Sequence, residues 1–278
     1  MPELPEVQTV INILNKSPAI DKKIIGTRVF IKKILKNTSV NKFDIFLKKE
    51  KIISFNRYGK YIIIKLTNNK NLFVHLRMEG KLFCTKDIDK TNVKHLCIQI
   101  MLENGFNLFY YDTRMFGTFH IFVGNSNDFY SIKSMGPDAM LSKKFNVDYL
   151  KNIFKHTKKN IKTIILDQTK ISGIGNIYAD EILFACKINP FSKANALDIK
   201  NIKNFISVTT SIFKKAILYK GTTIFSYMSS ANHTGNYQKY LNVYGRNNEP
   251  CNICRKKIVY RKINGRGTYF CEKCQKLL

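Results

Sequence analysis

The chain has 278 residues, with 47 Lys and Arg against 19 Asp and Glu, a formal net charge of +28. Its 44% apolar content excludes a disordered polycation, and the length suffices for two ordinary domains with their own cores. No apolar run reaches the roughly 18 residues of a membrane span, and residues 1–20 lack a signal-peptide core, so a cytoplasmic location is expected. Residues 1–135 hold 22 basic and 11 acidic side chains, and residues 136–278 hold 25 and 8. Both halves are basic, which points to a polyanion touching both, nucleic acid ahead of an anionic membrane surface.

Leu4, Val7, Val10, Ile11 and Leu14 fall on one face of a helix over 2–15, with Pro5 tolerated in its first turn. Short β-rich runs follow at 24–35, 51–56, 60–66, 71–78, 95–103, 106–111 and 116–123, punctuated by Asn68-Asn69 and Asn104-Gly105. Without helical patterns between them, these predict an antiparallel sandwich. Breaks at 124–127 and at Gly136-Pro137-Asp138 mark a boundary. Beyond it, 145–156, 161–168, 176–186 and 197–219 carry helical spacing, and 220–240, rich in Gly, Ser, Thr and Asn, predicts a long loop of functional kind.

Seven cysteines are present. Cys84, Cys97 and Cys186 sit in apolar surroundings and are expected to be buried thiols. The other four form Cys251-x2-Cys254-x16-Cys271-x2-Cys274, two knuckles at a spacing that places four thiolates tetrahedrally around one zinc. Four thiolates leave no position open for substrate, so the expected cofactor is one structural Zn2+.

Three further segments carry chemistry. Removal of Met1 from Met1-Pro2-Glu3-Leu4-Pro5-Glu6-Val7 exposes a secondary amine able to attack a sugar carbon and form an iminium. Glu3 is placed to move protons and Glu6, one turn on, to orient the site; equally, Pro and Glu are ordinary first-turn residues. Ile171-Ser172-Gly173-Ile174-Gly175-Asn176 is a glycine turn opening a helix, which serves either as a phosphate cradle or as a plain corner. Asn264-Gly265-Arg266-Gly267 presents a guanidinium at a hairpin tip, for phosphate or for solvent.

In this order, the Pro2–Val7 start, the Gly173–Phe184 stretch, and Val243-Tyr244-Gly245-Arg246 followed by the four cysteines resemble the formamidopyrimidine-DNA glycosylase family of bacterial repair enzymes, over essentially the whole chain. The resemblance implies an α+β multidomain fold: an amino-terminal helix plus antiparallel β-sandwich (1–135), a helix–two-turn–helix domain (136–240) and a zinc-ribbon hairpin (241–278). It implies an N-glycosylase and AP lyase, acting as a monomer on double-stranded DNA with an oxidised purine opposite cytosine. Pro2 would be the nucleophile, Glu3 its acid/base partner and Glu6 a support. Lys60, Asn176 and Arg266 would clamp the phosphates around an everted nucleotide. Met78, Arg114 and Phe116 would fill the space that it leaves, with Arg114 reading the orphaned cytosine. His95 and Lys158 would make further DNA contacts, and 220–240 would cap the lesion.

Several positions depart from the family pattern. Met115 replaces a common basic residue, the hairpin around Asn104-Gly105 is about two residues longer than is usual in the family, and an insertion near Lys158-Lys159-Asn160 leaves either lysine as the lesion-side one. Gly136-Pro137-Asp138-Ala139 is a conservative change. Leu4 and the Met78, Arg114 and Phe116 set favour the purine-directed branch over the pyrimidine-directed endonuclease VIII branch. A non-catalytic, zinc-containing nucleic-acid-binding protein is the rival from another class.

Overall fold

A computed structural model of the chain describes residues 2–89, 93–222 and 235–278. These divide into two compact units, residues 1–133 with 220–236, and residues 134–219 with 237–278.

The first unit opens with α1 (Leu4–Leu14), whose buried Val7, Val10, Ile11 and Leu14 form one apolar face. Eight strands follow: β1 (Ile24–Val29), β2 (Ile52–Tyr58), β3 (Tyr61–Leu66), β4 (Lys70–His75), β5 (Lys81–Thr85), β6 (Leu96–Leu102), β7 (Asn107–Tyr111) and β8 (Thr118–Val123). They form two antiparallel four-stranded sheets, ordered β1-β6-β7-β5 and β2-β3-β4-β8. One apolar core, including Phe43, Phe55, Ile62, Val74, Ile98, Tyr110 and Phe119, receives side chains from α1 and both sheets. This is the expected sandwich.

Three local expectations are corrected. Residues 24–35 are not one strand: β1 ends at Val29, and Lys32–Ile34 form a 3-10 turn. Val40–Leu47, for which no element was expected, is α2; Ser39 caps it by accepting from the Lys42 amide, and Phe43 and Leu47 are buried. β5 was also missed, because Lys-Leu-Phe-Cys-Thr is short and carries no turn signal of its own. A single turn, α3 (Tyr130–Lys133), closes the unit.

The second unit contains α4 (Val147–Lys155), α5 (Ile161–Leu166), α6 (Asn176–Ala185) and α7 (Ile199–Leu218), each within a few residues of its expected span. Residues 167–175, with a turn at 168–170, separate α5 from α6, and α7 packs against α4 and α6. A hairpin of β9 (Val259–Ile263) and β10 (Arg266–Phe270) packs on α6. Asn264 and Gly265 at its tip have φ of 46° and 74°, the left-handed pair that a tight two-residue turn requires. The architecture is thus the expected helix plus sandwich, helix–two-turn–helix and cysteine hairpin. No helix among the described residues is long and apolar enough to cross a membrane.

Candidate nucleic-acid interface and metal centre

The amino terminus is a buried polar cluster at the start of α1. Pro2 is buried immediately before the N-cap, Glu3 is 1% exposed and Glu6 5%. Glu3 and Glu6 form a reciprocal capping box, each carboxylate accepting from the other's amide, with the Glu3 amide 2.9 Å from Glu6 Oε2. The other Glu6 oxygen accepts from the Thr222 amide at 2.8 Å and its hydroxyl at 3.2 Å. One carboxylate therefore ties the residue beside Pro2 to the start of the 220–240 segment. Gly221, at φ 77°, lies so close that a Cβ would fall 2.7 Å from Glu6 Oε1. Residues 223–234, the bulk of the expected capping loop, lie outside the described residues.

Lys60 stands in the two-residue turn between β2 and β3, after Gly59 at φ 55°, and is 5% exposed. Arg57 joins that turn to α1, donating to Gln8 Oε1 at 3.0 Å and to the Gly59 carbonyl at 2.9 Å. His75, at the end of β4, is held neutral: burial, then the charges of Arg77, Lys60 and His120, push it down to about 3. Its Nδ1 accepts from the Arg77 amide at 3.0 Å, fixing the turn that presents Met78, 38% exposed. On the following connection Arg114 lies over the Phe116 ring at 4.7 Å, and Phe116 is 51% exposed. Met115, between them at φ 54°, turns inward onto the sandwich core. His95 is half-buried, and its carbonyl accepts from the Asp112 amide at 2.9 Å. The first unit thus links Pro2's helix, Lys60 and the Met78 turn through Gln8, Arg57 and His75.

In the second unit, Asn176 is the first residue of α6, and its Nδ2 donates to the Gly267 carbonyl at 3.0 Å. Lys162 donates to the same carbonyl and to Thr268 Oγ1, both at 2.9 Å. Lys162 is also paired with Asp180 at 2.7 Å, with both side chains fully buried. Asp180 in turn accepts from the Tyr269 amide at 2.9 Å. Burial pushes the Asp180 carboxyl up to about 7, against the lowering pull of Lys162 and that amide. The exposed Arg266 therefore projects from a hairpin tip fastened from below. Lys158 and Lys159 are both exposed in the link between α4 and α5; the Lys159 carbonyl accepts from the Ala194 amide at 3.0 Å and its amide donates to Thr157 Oγ1 at 3.2 Å.

The four knuckle cysteines bring their sulfurs within 4.8 Å of one another, with Cys254–Cys271 at 3.4 Å and Cys251–Cys274 at 3.9 Å. A tetrahedron of Zn–S bonds of about 2.3 Å has sulfur–sulfur edges of about 3.8 Å, so this set fits zinc. Phe184, Val243 and Ile258 pack against the knuckles, so the metal centre continues the core between α6 and the hairpin.

Sequence models of known families match three consecutive parts of the chain. Residues 1–119 match the formamidopyrimidine-DNA glycosylase N-terminal domain, 135–227 the formamidopyrimidine-DNA glycosylase H2TH domain, and 248–277 a zinc finger found in FPG and IleRS. The chain belongs to the formamidopyrimidine-DNA glycosylase family. Its relatives include the formamidopyrimidine-DNA glycosylases of Mycoplasma genitalium, 44% identical and covering 100% of this chain and 96% of that one, and of Ureaplasma parvum, 45% identical over 99% and 100%. Among solved structures, a Lactococcus lactis FPG mutant in complex with Fapy-dG-containing DNA covers 99% of this chain and 100% of that one at 33% identity, with a TM-score of 0.91. The L. lactis enzyme with abasic-site DNA gives 0.90 at the same identity and coverage.

Family membership makes the chain a DNA glycosylase of base excision repair, with one structural zinc held by Cys251, Cys254, Cys271 and Cys274. Reading along the chain missed the polar groups beneath the exposed residues: Arg57, His75, Asp112, Lys162 and Asp180. Asp180 lies within the Gly173–Phe184 stretch, but its role there is not marked by that motif; a charged residue in an apolar run was the available signal for Lys162 and Asp180.

Proposed function

We propose that the chain excises oxidised purines, 8-oxoguanine and formamidopyrimidines, opposite cytosine in duplex DNA, and then cleaves the abasic strand. With Met1 removed, the Pro2 nitrogen attacks C1′ of the everted nucleotide as the N-glycosidic bond breaks and the base departs with a proton. Ring opening of the sugar gives an iminium on Pro2. Loss of a C2′ proton expels the 3′ phosphate, a second elimination expels the 5′ phosphate, and hydrolysis frees the enzyme. Glu3 carries the protons and Glu6 holds the Glu3 backbone in place. The helix α1 dipole disfavours the protonated amine at its positive end.

Lys60, Asn176 and Arg266 take the flanking phosphates, with His95 and Lys158 or Lys159 as further contacts. Met78, Arg114 and Phe116 replace the lost stacking, and 220–240 covers the base. In the three-part division of labour, 1–135 does the chemistry, while 136–240 and the hairpin 241–278 hold the duplex. The protein acts as a monomer.

The observation that carries this reading is the buried Glu3–Glu6 box directly after Pro2, in a chain that matches the family from end to end. Borohydride reduction on an 8-oxoguanine:C duplex should trap a covalent adduct at the mature Pro2. Pro2→Gly, which leaves a primary amine there, should reduce its yield, and blocking the amino terminus by acetylation should abolish it. Absence of an adduct with correctly processed protein would overturn the mechanism. One L. lactis neighbour was solved with DNA containing an oxidised pyrimidine, at 32% identity and a TM-score of 0.89. The substrate panel should therefore include thymine glycol, whose faster release would move the chain to the pyrimidine-directed reading.

A further inference from the structure

Two connections leave the sandwich side by side. Residues 76–80 join β4 to β5, and residues 112–117 join β7 to β8. His75 pairs with Thr118, and Lys81 with Tyr111, so both connections cross from one sheet to the other next to each other. Met78 stands on the first; Arg114 and Phe116 stand on the second.

One buried hydroxyl lies between them. Tyr110 is fully buried in β7, with its ring edge-on to Phe119 at 4.8 Å. A Cβ at Gly80 would sit 2.3 Å from the Tyr110 oxygen, and one at Gly117 1.7 Å. Neither glycine has a left-handed φ: at Gly117 the demand for glycine comes from the approach of this hydroxyl and its ring, and at Gly80 from the hydroxyl together with the Leu76 carbonyl, 2.5 Å from such a Cβ.

The hydroxyl donates to Asp112 Oδ2 at 3.0 Å. That oxygen also accepts from the Phe116 amide at 3.0 Å and the Gly117 amide at 2.8 Å, while Oδ1 accepts from the Arg114 amide at 3.0 Å. Asp112 is 1% exposed and needs no cation, because four donors converge on it. A second tie joins the connections directly, between the Thr113 hydroxyl and the Glu79 carboxylate.

We propose that Tyr110 and Asp112 are positioning residues for the side chains that enter the duplex. The hydroxyl fixes the spacing between the Met78 turn and the Arg114–Phe116 turn, and the carboxylate fixes the backbone of the second. The three side chains then enter as one preformed wedge, without ordering themselves during base eversion. This rests on the reading that Met78, Arg114 and Phe116 enter DNA.

The test is Tyr110→Phe in the full, zinc-loaded protein, which keeps the ring and deletes the hydroxyl. Three quantities are measured under single turnover: unstacking, from a fluorescent base beside the lesion; excision from an 8-oxoguanine:C duplex; and cleavage of a duplex that already contains an abasic site. Losing one well-made hydrogen bond should slow unstacking and excision about tenfold. Cleavage at the abasic site, where no base is left to unstack, should stay within about twofold. Asp112→Asn, which turns an amide NH2 onto backbone donors, should show the same pattern more strongly.

Two results overturn the proposal. One is unchanged unstacking in both variants while Met78→Ala and Phe116→Ala slow it. The other is an equal loss of excision and abasic cleavage together with a lowered melting temperature, which marks a purely structural role. If Met78→Ala and Phe116→Ala are themselves without effect, the wedge reading falls, and this proposal with it.

Discussion

The turns bearing Met78, Arg114 and Phe116 and the hairpin tip bearing Arg266 set the same problem, an exposed side chain that must be held still, and solve it with different buried chemistry. In the first unit the post is a lone carboxylate, Asp112, satisfied by one hydroxyl and three backbone amides. In the second it is an ion pair, Lys162 with Asp180, whose spare donors and acceptors reach the hairpin at Gly267, Thr268 and Tyr269. The difference follows from what each post must hold. Asp112 organises the six-residue connection 112–117 within its own chain segment, where amides are close at hand. Lys162 and Asp180 must fasten a hairpin about a hundred residues further along the sequence, and a long flexible side chain supplies the reach. Both tips are kept rigid by groups that never meet solvent.

The largest expected difference between the two regions concerns the metal. Apparent zinc-binding energies in finger peptides are about 10–16 kcal/mol, more than the hairpin's small apolar cluster supplies. Chelation should therefore release β9 and β10, and with them Arg266, while β2, β3 and β4 keep their amide protection. Hydrogen exchange followed by mass spectrometry reads both regions in one sample. Equal loss of protection in the two would mean that the zinc knuckles support the whole molecule and not the hairpin alone.

The ion pair comes next. Removing one member of a buried pair costs about 3–5 kcal/mol, because the survivor stays buried without its partner. The two deletions should not be equal. In Lys162→Met, Asp180 can take up a proton, since it already sits at about 7. In Asp180→Leu, the Lys162 ammonium loses its carboxylate while its contacts to the Gly267 carbonyl and the Thr268 hydroxyl, both uncharged, remain. Thermal melting should rank Asp180→Leu as the more damaging. The double variant should recover most of the stability without recovering DNA affinity, because the hairpin tip has lost its tether. A double variant with full affinity would show that Asn176, through the Gly267 carbonyl, holds the tip unaided.

Much of this contrast was out of reach of the sequence, for a physical reason. Sandwich, helices and zinc knuckles follow from periodicity and spacing, which are local, and the spans of α4 to α7 emerge nearly intact. The end-to-end resemblance then names Pro2, Glu3, Lys60 and Arg266 as candidates. The posts are different: Tyr110 matters because it approaches Gly80 and Gly117, and Lys162 because it approaches Gly267. Those are distances between segments, and no pattern along the chain encodes them. α2 was missed on weaker grounds, since Ser39 and the Val40, Phe43 and Leu47 spacing form an adequate cap and face within a lysine-rich stretch that reads as loop.

The smallest effect separates the units by the sign of their response to pH. His75 and His120 are buried in the first unit and pushed down to about 3 and about 4, chiefly by desolvation. In the unfolded chain a histidine titrates near 6.5, so between that value and the folded ones the unfolded state binds more protons. Stability from these residues is full above about 6.5 and falls as pH drops, by about 1.4 kcal/mol per histidine at pH 5.5. Asp180 in the second unit has the opposite slope. Its folded value is raised to about 7, so the native state holds the extra proton, and its contribution improves as pH falls from 7 towards the ordinary carboxylate range. Burial raises the neighbouring Glu181 carboxyl as well, which adds in the same direction. Native-state hydrogen exchange at pH 7 and pH 5.5, corrected for intrinsic rates, should show the sandwich strands losing protection while α6 and β10 hold theirs. His75→Gln together with His120→Gln should flatten the first response and leave the second unchanged; a sandwich that still weakens in acid would move the cause to groups other than these two rings.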